Sequence, residues 1–249
     1  MTEFNRNFSY IYEVEGNKIV SKRHQKPIFL RRELFFYDLF QKTGLVRTPE
    51  IYEVDGLNLK TRYIETGEKD ILRTVTEWAN VHSYFMANPI VDNPILLKHD
   101  IKEVISFILL NKEIFGKLGS IIENALSNAR ISRELTTVIH GDLCNRNMIT
   151  YQGQNYYFDF ELGGIGHPGR DVASMIISDP DKKREIEDNY LRSIDFYYPN
   201  IKKDINTWVI ARASQLYLIF DRRSGSPETK KKIKNKLSEI IQDSTRIIL

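Results

Sequence analysis

Three side chains near the middle of this 249-residue chain have the types and spacing to work together: Asp142, Asn147 and Asp159. They stand in the stretches His140-Gly141-Asp142-Leu143-Cys144-Asn145-Arg146-Asn147 and Asp159-Phe160-Glu161. Two carboxylates and a carboxamide are hard oxygen donors of the kind that hold Mg²⁺, and a carboxylate left over can serve as a general base. Such chemistry requires the groups to converge. Residues 148–151 and 156–159 read as two short strands, with Gln152-Gly153-Gln154-Asn155 as turn chemistry between them. A hairpin brings its outer ends together, so the spacing predicts Asn147 and Asp159 roughly 5 Å apart as a cross-strand pair. Asp142 lies one loop upstream of the same end.

The elements needed to position these groups are legible on both sides. Residues 8–14 alternate apolar and polar, Glu15-Gly16-Asn17 turns the chain, and 18–24 continue as a second strand. Residues 29–40 present apolar side chains at 30, 34, 37 and 40, a helical face, and Gly44 fits just beyond the end of that helix. Strands are predicted over 50–54 and 57–64, joined by Asp55-Gly56. After Gly67 the period changes to helical, over 70–87 and again over 100–126, with Asn88-Pro89 and Asn93-Pro94 as loop. Further helices are predicted over 171–177, 182–197, 206–222 and 228–249. The expectation is an α+β protein with a small β-rich N-terminal lobe at 1–65 and a larger, mainly helical lobe at 66–249. A cleft between such lobes is a favoured place for a ligand.

Composition limits the alternatives. A formal charge of +3 spread along the chain gives no warrant for a nucleic-acid partner. The one dense run, 230–236, reads as the solvated face of a last helix whose apolar side is Ile233, Leu237, Ile240 and Ile241. Cys144 is the sole cysteine, which rules out an intrachain disulfide and a cysteine-rich metal site. The N-terminus lacks a secretory apolar run and no stretch is long enough to span a bilayer, so no membrane association and a cytoplasmic location are expected.

His140-Gly141-Asp142 with Asn147 five residues on, then Asp159-Phe160-Glu161, then Gly166-His167-Pro168-Gly169-Arg170-Asp171 resembles the signature of the aminoglycoside phosphotransferase and choline kinase family, a branch of the protein-kinase-like fold. The resemblance implies a kinase that moves the γ-phosphate of ATP or GTP to a hydroxyl of a small molecule. It makes Asp142 the catalytic base and Asn147 and Asp159 the Mg²⁺ ligands. Lys22 would reach the phosphates with Glu33 as its ion-pair partner, and the linker Arg62-Tyr63-Ile64-Glu65 would hold the base of the nucleotide. His140 and Asp171 would shape the loop. The loop covering the phosphates is either Glu15-Gly16-Asn17 or Asn5-Arg6-Asn7, depending on which strands 8–14 and 18–24 represent. Glu161, Asp195, Tyr197, Trp208, Arg212 and Tyr217 are candidate acceptor-lining groups. Other readings of the same scaffold are a catalytically silent kinase-like binding module and a kinase of protein side chains, although no extended activation segment follows Asp159-Phe160-Glu161.

Overall fold

The computed structural model describes residues 8–65, 67, 69–91, 93–127, 129, 135–196, 198–222 and 226–248. Strands β1 (Phe8–Val14) and β2 (Asn17–Arg23) pair antiparallel across Glu15-Gly16. Both turn residues are left-handed, with φ of 50° and 79°, as a twisted two-residue hairpin requires. Helix α1 (Pro27–Thr43) starts on a proline, whose missing N–H costs nothing there, and stops at Gly44 with φ 66°. A second hairpin, β3 (Ile51–Asp55) and β4 (Asn58–Arg62), completes a four-stranded sheet in the order β1-β2-β4-β3. Asn5-Arg6-Asn7, one of the two expected covering loops, lies outside the described residues.

The mainly helical lobe begins with α2 (Ile71–Ala87), whose first turn is capped by the Asp70 side chain accepting from the Arg73 N–H at 2.9 Å. It continues through β5 (Leu97–His99), α3 (Ile101–Leu110), α4 (Leu118–Ser127), β6 (Thr137–Ile139), β7 (Met148–Tyr151), β8 (Gln154–Tyr157) and β9 (Gly164–Gly166). Helices α5 (Gly169–Ser178), α6 (Lys183–Ser193), α7 (Ile201–Arg222) and α8 (Pro227–Ile248) close the chain. The architecture is thus α+β and two-lobed, as expected. Helix α7 runs through the middle of the helical lobe, with Ile205, Trp208, Val209 and Ile210 fully buried, and packs against α5 and α8. In α8 the buried side is Leu237, Ile240 and Ile241, while Lys231, Lys232 and Lys236 face outward.

Several expected elements are shifted. The stretch 100–126 is not one helix: it breaks at Asn111, passes through a short 3-10 turn, and restarts after Gly116, whose φ of 56° a helix cannot accommodate. Helix α7 begins at Ile201 rather than 206, because its buried length exceeds what apolar periodicity marks. Strands β5, β9 and β6 form a small sheet in that order, with β5 parallel to β9; three-residue strands carry too little pattern to be read. In the central hairpin the turn is only Gln152-Gly153, both left-handed, so β8 ends at Tyr157. Asn147 therefore faces Phe158, whose N–H donates to the Asn147 carbonyl at 3.2 Å. Asp159 sits one residue beyond the pair, with φ 67° and ψ 51°.

Phe160 joins the lobes. Its ring stacks on Phe36 of α1 at 5.2 Å and meets Tyr37, Phe40 and His140 at 5.9, 5.5 and 4.6 Å. Aromatic clusters of this density hold position through both burial and ring geometry. Gly163 follows in the same seam: a methyl group there would stand 2.2 Å from Cε2 of Phe36. Gly163→Ala should therefore overpack the seam and lower unfolding free energy by about 1–3 kcal/mol, read from the urea midpoint at unchanged slope.

Candidate active site

The loop carrying Asp142 is built from the backbone outward. After β6, the N–H groups of His140 and Gly141 donate to the two oxygens of Asp171 at 2.7 and 2.9 Å, and the Gly141 carbonyl accepts from Arg170 Nε at 3.1 Å. Neighbouring residues of α5 thus grip one glycine from both sides. Only glycine serves there: φ is 81°, and a Cβ would lie 2.0 Å from the Leu162 carbonyl oxygen. His140 Nε2 pairs with the Phe158 carbonyl at 3.1 Å, tying the loop to the hairpin it precedes. Burial alone would raise the Asp171 carboxyl; the bond to His82, the charges of His82 and His140 and the bond from the His140 N–H hold it below the ordinary value.

Asp142 and Asn147 are locked to each other across that loop. Asn147 Nδ2 donates to the Asp142 carbonyl at 2.8 Å and lies 3.3 Å from its carboxylate, so the amide nitrogen is committed and Oδ1 is the atom available to a metal. Asp142 Oδ1 accepts from Arg212 Nη2 of α7 at 2.7 Å. Burial pushes its carboxyl up, but Arg212, then His140 and Arg146, bring it below the usual range, so it stands ionised at neutral pH.

On the sheet side, Lys22 of β2 reaches Glu33 of α1 at 2.7 Å, Asp159 at 2.7 Å and Glu161 at 3.0 Å. Burial opposes charge on Lys22, and the three carboxylates overcome it, raising its pKa. Glu33 also accepts from the Asp159 N–H at 3.1 Å and from Tyr37 at 3.3 Å. Burial, offset by Lys22 but reinforced by Glu33 and Glu161, raises the Asp159 carboxyl. Arg32, adjacent to Glu33, is buried and donates to the carbonyls of Ile95 at 2.8 Å and of Glu161, fixing α1 to the turn after Asp159. His24 stands between Glu33 and Glu161 at 3.4 and 3.1 Å.

These groups share one cleft of about 520 Å³, walled by Lys22, Glu33, Arg62, Tyr63, Ile64, Arg146, Asn147 and Asp159 with Val20 and Leu59. The expected binding residues are all brought together there, whereas Asp142 stands beside it. The N–H groups of Arg62 and Tyr63 are already used, donating to the carbonyls of Glu50 and Lys18 at 2.8 and 3.0 Å. Oxygen donors on Asp159 and Asn147 suit a hard divalent cation.

The expected acceptor-lining groups scatter. Glu161 belongs to the Lys22 cluster, Tyr217 packs on Phe115 and under Lys234, and Asp195 is exposed. Trp208 is fully buried and walls a second cavity with His99 and His167, and Tyr197 lies outside the described residues. Arg212 alone touches the expected base. Sequence reasoning missed Arg146 and Arg170; their positions beside Asn147 and Asp171 were the available signal. Cys144 is 7 % exposed, its thiol raised first by burial and then by Asp142.

The pattern of the phosphotransferase enzyme family matches residues 116–202. An amicoumacin kinase solved with AMP-PNP and Ca²⁺ superimposes with a TM-score of 0.71 at 13% identity, covering 98% of this chain and 87% of that one. A microcompartment-associated aminopropanol kinase gives 0.70 at 14% identity, covering 98% and 90%. The choline kinase LicA of Streptococcus pneumoniae gives 0.65 at 15%, covering 94% and 89%. No curated protein matches in sequence. The fold is that of these kinases, and the resemblance to the aminoglycoside phosphotransferase and choline kinase family holds: in sequence over residues 116–202, in fold over nearly the whole chain.

Asp171 sets a testable acid dependence. Its folded-state pKa lies below the unfolded value of about 4, so the stability it contributes is present above that value and lost as pH falls through the folded one. Asp171→Asn should cost about 1–3 kcal/mol near neutral pH, through the lost pairing of buried backbone N–H groups. The gap from wild type should narrow in urea titrations repeated below about pH 4.

Proposed function

We propose that this protein is a kinase that transfers the γ-phosphoryl group of ATP or GTP to the hydroxyl of a small molecule. One observation carries the reading: the Lys22–Glu33 ion pair, the oxygen donors of Asn147 and Asp159, and the linker at Arg62, Tyr63 and Ile64 all line a single cleft, with an ionised Asp142 beside it. Phosphoryl transfer asks mostly for positioning and charge neutralisation, and those are the groups supplied. In this reading residues 1–65 are the nucleotide-binding lobe, and residues 66–249 carry the catalytic loop and the acceptor site.

The division of labour follows from the contacts. Lys22, held by Glu33, meets the α and β phosphates, giving up its bond to Asp159 as it does so. Asn147 and Asp159 would hold Mg²⁺, which would supply neutralising charge at the phosphate oxygens. The nucleotide base lies against Tyr63 and Ile64 and uses the Ile64 backbone, since the Arg62 and Tyr63 N–H groups are already committed. Asp142 orients the acceptor hydroxyl and takes its proton late in the transfer, a role open to a carboxylate of low pKa. The Asn147 bond to Asp142 keeps base and metal ligand in register.

Nucleotide binding and turnover test the assignment together. Asp159→Ala should lose Mg²⁺-dependent nucleotide binding in calorimetry. Asp142→Asn should bind nucleotide as wild type does but lose about 10²–10⁴ in turnover. Chelation of Mg²⁺ should abolish nucleotide consumption by wild type. A wild-type protein with no Mg²⁺-dependent nucleotide binding would falsify the reading and leave a binding module on the same scaffold.

A further inference from the structure

Three cations line the cleft, Lys22, Arg62 and Arg146, and they divide between its two ends. The pairing register of the sheet sets the direction. Ile19 faces Arg62 and Val20 faces Thr61, whereas Lys22 faces Leu59 on one side and Ser9 on the other. The linker thus marks one end of the cleft and Lys22 the opposite one. The Glu15-Gly16 turn belongs to the linker end, because β2 leaves that turn and passes Lys18, whose carbonyl accepts from the Tyr63 N–H, before it reaches Lys22. Lys22 stands five residues along β2 from Asn17, about 17 Å, so this turn does not reach phosphates held by Lys22. What faces the cleft beside Lys22 is Asp159, with Asn147 and Arg146 of the loop that carries Asp142.

Arg146 differs from the other guanidiniums around the site. Arg32, Arg170 and Arg212 are buried, whereas Arg146 is exposed and lines the cleft. The carboxylates whose charge reaches it are Asp142 and Asp159, and each already holds a cation at 2.7 Å, Arg212 and Lys22 respectively. Arg146 accordingly makes no ion pair among the described residues; it interacts with the Cys144 sulfur, a weak acceptor. Its backbone, by contrast, is fixed on both sides. The Asn145 carbonyl accepts from Lys69 Nζ, and the Asn147 N–H donates to the Cys144 carbonyl at 2.9 Å. A guanidinium on a fixed stem, open to the cleft and without an anion of its own, suits a ligand that brings one, and its planar fork matches phosphate oxygens. With Asp142 as base and Asn147 and Asp159 as metal ligands, the γ-phosphoryl group is the part of the nucleotide that must stand between them. We propose that Arg146 is a phosphate contact of this cleft, its guanidinium meeting the γ-phosphoryl oxygens from the side of the Asp142 loop while Lys22 holds the α and β phosphates from the sheet. This assignment rests on the kinase reading.

Nucleotides that differ in phosphate number test it in the full-length protein. Calorimetry with Mg²⁺ compares a non-hydrolysable ATP analogue with ADP in wild type, Arg146→Ala and Arg146→Lys. Arg146→Ala should weaken the triphosphate by about 10- to 100-fold, the scale of a hydrogen bond between charged groups, and leave ADP within about twofold. Arg146→Lys keeps the charge and loses the fork, so it should recover part of the triphosphate affinity. The readout is the ratio of triphosphate to diphosphate affinity, which a purely structural role for an exposed side chain leaves in place. A ratio unchanged in Arg146→Ala, or both nucleotides weakened alike, overturns the proposal. If wild type still binds both nucleotides with Mg²⁺ in that case, only the Arg146 assignment falls. A wild type that binds neither removes the kinase reading, and Arg146 with it.

Discussion

A lysine ammonium buried against three carboxylates is the constraint on which the rest of this structure turns. Lys22 comes from the sheet, Glu33 from α1, and Asp159 and Glu161 from the turn after β8, so one cluster ties together three separate parts of the molecule. Such a cluster is costly to desolvate, which makes it an instrument of geometry more than of stability. Its apolar counterpart lies directly beneath: Phe160, between Asp159 and Glu161, is wedged among Phe36, Tyr37 and Phe40. Charge above and aromatic packing below fix the same three-residue turn from opposite sides.

The loop carrying Asp142 is controlled by different means. Its backbone is held by Asp171 and Arg170 at the start of α5, so its shape is inherited from a helix with eight buried residues rather than from the loop's own sequence. Asn147 then ties Asp142 to the hairpin. The two carboxylates central to the proposed chemistry experience opposite surroundings: guanidinium charge depresses Asp142, while burial and acidic neighbours raise Asp159.

Much of this was legible in the residue order, and the exceptions have physical reasons. The hairpins at Gly16 and Asp55-Gly56 and the α1 and α2 helices follow from turn chemistry and period, which are local. The pairing of Lys22 with Glu33 was reached through family resemblance, and the geometry brings them together. Asn147 faces Phe158 rather than Asp159 because a two-residue turn and a four-residue turn use the same residues here, and the choice shifts the register. The left-handed backbone at Asp159 leaves no mark in composition. Arg212 and Asp142 are 70 positions apart, so their contact depends on how α7 is threaded through the core, which no local pattern encodes. The three-stranded sheet that seats β6 was invisible for the same reason.

The loop's lone thiol has a use that follows from its burial. Cys144 is two residues from Asp142, is the only cysteine in the chain, and is both covered and poorly ionised. A soluble alkylating reagent meets it far more readily when the segment lifts off its bed. The rate of modification therefore counts excursions of the very backbone that carries Asp142, giving a clock for local opening with no label introduced.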